Sequence, residues 1–319
     1  MYRPQIKVID CTIRDGGLMN NSNFTFETVR AIYAAVCGSG VDIVEIGYRN
    51  SKKMFSPRKY GIWRFCDDDV LKKLTAGIET KTKLAIMQDA HKADAEDLLP
   101  KAESVVDMVR VATYVKDIDK AILLANNATD KGYEATINIM AISHALDREL
   151  DEALEQVEAE TKITACYLVD SFGALYSEDV DYLVHKFQRY LKTKEVGVHF
   201  HNQQQLAYAN TIEAIIRNAN YLDGTVYGLG RAAGNCPLEL LVGFLKNPKF
   251  DIRPLFGVIG KEIIPLQKAI QWGYNIPYMI AGMLNLHPES AMDLVNLPED
   301  DPKRYDFVKF YEKMSGADA

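Results

Sequence analysis

The chain has 319 residues, 48% of them hydrophobic and 25% charged, with a formal net charge of -7. That length suits one α/β barrel with a C-terminal addition, and the composition is that of a globular protein able to build a sizeable core. The acidic balance, spread without long like-charge blocks, argues against nucleic acid or an anionic membrane as a partner.

In chain order, short apolar β-branched runs recur, each followed by a helical pattern. They are IKVIDCT (6–12), VDIVEIG (41–47), KLAIMQD (83–89), VDMVRVA (106–112), EATINIM (134–140), TACYLVD (164–170), EVGVHFH (195–201) and YLDGTVYG (221–228). Continuous apolar runs of this kind read as parallel strands covered on both faces. The segments between them, such as FETVRAIYAAVCGSG, are amphipathic, and Gly38 or Gly40 suits the end of that helix. Eight strand–helix alternations predict a closed (β/α)₈ TIM barrel, with a doubly wound open sheet as the alternative. We read residues 1–250 as the barrel and 251–319 as a helical extension packed on it. No run of about 18 apolar residues is present, so no membrane span is expected. The N-terminus lacks a signal-like apolar stretch, and five scattered cysteines without a CxxC pair fit a reducing compartment. Cytoplasmic is the default expectation.

Barrels keep their chemistry at the C-terminal ends of the strands. The first strand ends in DCTIRDGG, which sets Arg14 beside Asp15 with glycines that permit a tight backbone; a surface ion pair beside a turn is the plain alternative. The seventh ends in VHFHN. Alternate strand residues share a face, so His199 and His201 point the same way, either as a metal-binding pair or as two hydrogen-bonded histidines. The eighth leads into GLGRAAGNCP, with Pro237 opening a helix. This loop is a phosphate cradle, a device that lets Asn235 reach a metal, or a flexible turn. Glu45, Tyr48, Arg49, Asp170 and Ser171 fall at two further strand ends. A carboxylate and two imidazoles make a mixed O/N site suited to Mn²⁺, Mg²⁺, Co²⁺ or Zn²⁺. The long loop 50–64 is basic and aromatic, and reads as a lid whose cations meet an anionic substrate or as a solvated loop.

Together, DCTIRDGG, VDIVEIG, LVDSFGAL, VHFHN and GLGRAAGNCPLE resemble the HMG-CoA-lyase-like (DRE-TIM) metal-dependent aldolase and lyase superfamily, nearest to its 4-hydroxy-2-oxovalerate aldolase branch. The resemblance runs through residues 5 to 245. It implies a divalent-metal-dependent lyase that cleaves a 4-hydroxy-2-oxo acid to pyruvate and an aldehyde. Asp15, His199 and His201 match the metal ligands, and Asn235 matches an asparagine that approaches the metal. Arg14 matches the arginine that steadies the enolate oxygen, and Ser171 a serine near the substrate carboxylate. Two departures stand out. Leu18 occupies the position where that branch has a histidine base, which leaves Tyr48, a metal-bound hydroxide or a residue of the C-terminal helices to take the proton. The C-terminal segment also differs from the region through which the branch pairs with an acylating dehydrogenase, so that partner is not expected, while a homo-oligomer is allowed. Claisen-type acyl-CoA chemistry on the same metal triad, or a weakly catalytic metal-binding barrel, are the competing readings.

Overall fold

The computed structural model describes residues 3–316. Eight parallel strands close in sequence order into one barrel: β1 (Lys7–Asp10), β2 (Ile43–Tyr48), β3 (Lys83–Asp89), β4 (Met108–Thr113), β5 (Glu134–Ile139), β6 (Ala165–Asp170), β7 (Glu195–Phe200) and β8 (Tyr221–Gly224). Each lies within one of the eight predicted runs or ends a single residue past it. β1 pairs with β8 across the closure, Lys7 opposite Tyr221 and Asp10 opposite Gly224. The open-sheet alternative is therefore excluded.

The intervening helices are α1 (Thr12–Gly16), α2 (Phe26–Gly38), α3 (Asp68–Thr75), α4 (Ile118–Asp130), α5 (Asp147–Glu160), α6 (Ser177–Tyr190), α7 (Ala207–Ile216) and α8 (Leu238–Leu245). α2 shows how the local sequence sets these elements. The Thr25 hydroxyl caps its start by accepting the Thr28 N–H at 3.1 Å, and the chain leaves through Gly40 at φ +76°. α8 begins one residue later than expected, because Pro237 has extended rather than helical backbone. The principal apolar core lies between strands and helices. A second cluster, which includes Ile9, Met108 and Tyr167, fills the barrel. There the Tyr167 ring occupies space that only Gly197 leaves open, since a Cβ on Gly197 would sit 2.5 Å from it.

Beyond α8 come α9 (Arg253–Val258), a one-turn π-bulge, α10 (Ile264–Gln267), α11 (Ile276–Met283), α12 (Glu289–Val295) and α13 (Phe307–Ser315). No ninth strand is present among the described residues. α9 packs on α2, whereas α11, α12 and α13 form a cluster of their own. Its residues Tyr278, Ile280 and Ala281 meet Ala232 and Ala233 of the loop after β8. The cluster thereby sits at the barrel end where the strands finish.

One local irregularity matters for the site. Along β2 the register shifts between Glu45, opposite Ala85, and Tyr48, opposite Met87, so three steps on β2 match two on β3. In an unbroken strand, residues three apart face opposite sides. The bulge restores parity and turns both Glu45 and Tyr48 inward.

Candidate functional site

A small cavity opens at the C-terminal end of the barrel, lined among others by Arg14, Asp15, Tyr48, Ser171, His199 and His201. Its floor is built by short-range folding of the β1 and β7 ends. After β1 the chain makes the single helical turn of α1, which rests on Thr12. That hydroxyl accepts the Val226 N–H at 2.8 Å and donates to the Asp10 carboxyl. The turn carries Arg14 and Asp15 inward, both buried. Gly16 and Gly17 keep negative φ, so their role is close approach rather than the tight turn expected: a Cβ on Gly16 would lie 2.8 Å from Leu229, and one on Gly17 2.9 Å from the Ile13 carbonyl.

His199 and His201 face the same interior, with ring centroids 5.2 Å apart. Their Nε2 atoms stand 3.9 and 3.7 Å from Asp15 Oδ2. The three residues are between 0% and 5% exposed. The loop after β8 is clamped across them. Asn202 donates its N–H to the Gly234 carbonyl at 2.8 Å, and Asn235 bridges to His201. Asn235 Nδ2 then donates toward His199 Nε2 at 3.1 Å. Of the three readings of this loop, the one that carries Asn235 to the triad matches the structure.

Asp15 Oδ2 and Asn235 Oδ1 are buried with no hydrogen-bond partner. Converging buried acceptors without a donor are costly unless something positive joins them. A divalent cation is the group that three O/N donors and an amide oxygen would satisfy, and the residues present fit one. Burial would raise the Asp15 carboxyl, but His201, Arg14, His199 and Arg231 outweigh it and hold it well below the usual carboxylate range. Burial also pushes His201 down to about 3, with Asp15 opposing and Arg231 adding to the shift, so the imidazole is neutral with a lone pair to give.

Beneath the floor runs a chain of buried ion pairs that the sequence reading missed. His199 Nδ1 donates to Asp223 Oδ2 at 2.8 Å, which puts the ring's lone pair on Nε2, on the Asp15 and Asn235 side. Asp223 is held in turn by Arg110 at 2.7 Å, Arg110 by Glu45 at 3.0 Å, and Glu45 by Arg14 at 2.7 Å. Arg14 closes the path with a 2.8 Å bond to Asp15. Arg110 lies over the Tyr167 ring, 4.5 Å from its centroid. The signal for it was present: Arg110 and Asp223 are charges set within apolar strand runs, where an unpaired charge is not tolerated.

The remaining candidates divide. Ser171 and Tyr48 line the cavity. The Ser171 hydroxyl accepts the Ala141 N–H at 2.8 Å, so its own proton is free to donate. Burial pushes the Tyr48 phenol up, with Arg14 opposing; it stays protonated and is a donor rather than a base at neutral pH. Glu45, Arg49 and Asp170 do not line the cavity. Asp170 instead accepts the Ala174 and Leu175 N–H groups and braces its own loop.

The 50–64 loop, expected as a lid or as a solvated loop, sends no cation into the cavity. Lys52 pairs with Asp67 at 2.7 Å and Lys53 with Asp94 at 3.1 Å, while Arg64 stacks on the Tyr48, Phe55 and Tyr60 rings. None of these cations lines the cavity. The second cation that does is Arg231, whose Nη2 donates to the Ser171 carbonyl at 2.6 Å. A larger cleft at the opposite barrel end, near Lys7, Asp42 and Lys249, lies among strand starts and holds paired charges such as Lys249–Asp42 at 2.7 Å. It is not the end where barrels place chemistry.

Residues 5–254 match the HMGL-like family model. The chain is 30% identical over 312 residues to a 4-hydroxy-2-oxovalerate aldolase of Moorella thermoacetica, covering 94% of this chain and 90% of the relative. It is 30% identical to 4-hydroxy-2-oxovalerate aldolase 1 of Mycobacteroides abscessus, over 75% of this chain but only 66% of that relative's length. Among solved structures, the N-terminal domain of an aldolase candidate from Bacteroides vulgatus superposes with a TM-score of 0.81 at 32% identity, over 92% of this chain and 97% of that one.

Proposed function

This chain belongs to the HMGL-like family, and from that premise we propose that it is a divalent-metal-dependent aldolase that cleaves a 4-hydroxy-2-oxo acid into pyruvate and an aldehyde. It is an enzyme of the lyase and aldolase kind. The observation that carries the specific reading is the set of unpartnered buried acceptors on Asp15 and Asn235, converging with the Nε2 atoms of His199 and His201, directly beside Arg14. Asp15, His199, His201 and Asn235 would hold the cation, Mn²⁺ or Mg²⁺ by preference and Co²⁺ or Zn²⁺ as alternatives. When bound there, it supplies Lewis acidity to the ketone of a chelating 2-oxo acid.

The chain's own residues supply the rest. Arg14 stays charged beside Glu45 and Asp15, and lies where negative charge grows on the enolate oxygen as the carbon–carbon bond breaks. Ser171 donates its free hydroxyl proton toward the substrate carboxylate, and Tyr48 donates from the facing wall. Apolar neighbours of Tyr48, namely Leu18, Met87, Ala112 and Met140, exclude water from that wall. In this reading residues 1–250 are the catalytic barrel and 251–319 its helical cover. In this reading the protein works in the cytoplasm on a small 2-oxo acid rather than on nucleic acid or a membrane, and a homo-oligomer is allowed. No described helix is long and apolar enough to cross a membrane.

The test is exchange of the C3 protons of pyruvate in D₂O, with metal-stripped protein before and after Mg²⁺ is restored and a chelator quench before NMR. Exchange that needs both protein and metal supports enolate formation at this site. Exchange no faster than metal and buffer alone would overturn it.

A further inference from the structure

Resting on the aldolase reading above, we propose that His287, from the C-terminal extension, is the base that removes the C4 hydroxyl proton of the substrate. Among the described residues that line the cavity, the barrel itself offers no uncommitted imidazole or carboxylate. Leu18 stands on the apolar wall with Tyr48 and Met140, and the imidazoles of His199 and His201 are turned to Asp15. Among the described residues lining the cavity, His287 is the one imidazole not committed to the floor.

The extension is seated so as to hold that ring in place. The Ser143 hydroxyl donates to Asn285 Oδ1 at 2.7 Å, and His144 Nε2 meets the Asn285 carbonyl at 2.8 Å. Asn285 adopts φ +53°, a conformation asparagine tolerates better than most residues, and so turns the chain at the end of α11 toward the cavity. α11 itself presses on the barrel loops: a Cβ on Gly282 would lie 2.6 Å from Gln203. The Phe172 ring meets His287 nearly edge-on, with centroids 6.0 Å apart.

The groups around the imidazole keep it neutral. Arg231 Nη1 is 3.3 Å from Nε2, the Glu289 N–H is 3.3 Å from Nδ1, and Glu289 Oε2 is 4.0 Å from Nδ1. His144 meets the same Phe172 ring, with centroids 4.8 Å apart. Burial and then Arg231 lower the pKa of His287 from the usual histidine value, with Glu289 opposing. Depth also agrees. The floor residues are nearly inaccessible, whereas the His287 side chain is 51% exposed. A chain bound by its 2-oxo acid end at the floor directs C4 outward, toward the mouth.

In the proposed step, His287 takes the O4 proton and the O–H electron pair becomes the aldehyde C=O. The C3–C4 bond breaks, its electrons form C2=C3, and the ketone π pair moves to the C2 oxygen beside Arg14. The imidazolium then lies against Arg231, which favours loss of its proton to solvent through the open mouth and restores neutral His287. The enolate takes its C3 proton from water, which yields pyruvate.

Decarboxylation of oxaloacetate reaches the same enolate without removing a hydroxyl proton, and this separates the two claims. With Mg²⁺ present, pyruvate release is measured from 4-hydroxy-2-oxovalerate and from oxaloacetate for wild type, His287→Ala and His287→Gln. Both variants should lose about 100-fold or more in cleavage turnover, the usual contribution of a general base. Decarboxylation should change less than about 3-fold, and added imidazole should restore part of the cleavage by His287→Ala through the open mouth. Unchanged cleavage, or an equal fall in both reactions, would overturn the role of His287 while the aldolase reading stands. Wild type inactive on both acids would overturn that reading and this proposal with it.

Discussion

Gly230→Ala tests the floor by adding one carbon. Gly230 does not adopt positive φ, so alanine fits its backbone and the effect is one of contact alone. An ideal Cβ there would lie 1.7 Å from Asn235 Oδ1 and 2.8 Å from Asp15 Oδ2. With the closest ordinary carbon–oxygen approach at about 3.3 Å, Asn235 Oδ1 must retreat by roughly 1.6 Å and Asp15 Oδ2 by roughly 0.5 Å. Metal sites tolerate ligand displacements of only about 0.2 Å. Two displaced oxygens should weaken the cation by about 10- to 100-fold, the loss seen when groups that orient ligands are removed. Isothermal titration of metal-stripped protein with Mn²⁺ measures this. Gly257→Ala is the control, because a Cβ at Gly257 meets nothing within 4 Å. The Asn235 side chain can swing while its backbone stays clamped, so the fold should survive and the melting temperature should shift by only a few degrees. A folded Gly230→Ala protein with wild-type Mn²⁺ affinity would refute the placement of the cation between Asp15 and Asn235.

Three further outcomes follow from the same geometry. Arg14→Ala should reduce turnover about 100-fold while leaving Mn²⁺ affinity within a few-fold, because Arg14 is no ligand and Glu45 keeps Arg110 at 3.0 Å; steady-state kinetics and titration on the same sample check both halves. Asp223→Asn removes the carboxylate that fixes His199 Nδ1–H, and should weaken Mn²⁺ about 10- to 100-fold by titration. Asp10→Asn concerns stability. Burial raises the Asp10 carboxyl from 3.8 to about 7, with Thr12 opposing, so the folded state prefers it protonated. Its stabilising contribution is full below about pH 4 and is lost as pH rises through 7, at up to about 1.4 kcal/mol per pH unit. Asparagine does not titrate, so melting temperatures should move in favour of Asp10→Asn between pH 5 and pH 8, and a constant difference across that range would contradict the assignment.

The barrel was legible because each strand is covered on both faces and so stands out as a short apolar run. The triad was legible for a related reason: strand ends are where a barrel exposes side chains, and the two-residue spacing of His199 and His201 fixes their common direction. What escaped depends on contacts between distant segments. The inward turn of Tyr48 comes from a bulge, which shifts the period without leaving a mark in composition. Gly16 and Gly17 read as tight-turn positions and Gly230 as part of a Gly-rich loop, yet each is small because other atoms lie against it. The cations of the 50–64 loop suggested an anion, but Asp67 and Asp94 take Lys52 and Lys53, and aromatic rings take Lys59 and Arg64. His287 reaches the mouth only through the Asn285 turn and the packing of α11 on the barrel, neither of which is periodic in sequence.

Pyruvate release from 4-hydroxy-2-oxovalerate, followed through NADH consumption by added lactate dehydrogenase, tests the central claim most directly. Metal-stripped protein should be silent, and Mn²⁺ or Mg²⁺ should restore turnover that His199→Ala and His201→Ala both abolish. Turnover that persists without metal, or that either histidine variant retains in full, would contradict the account.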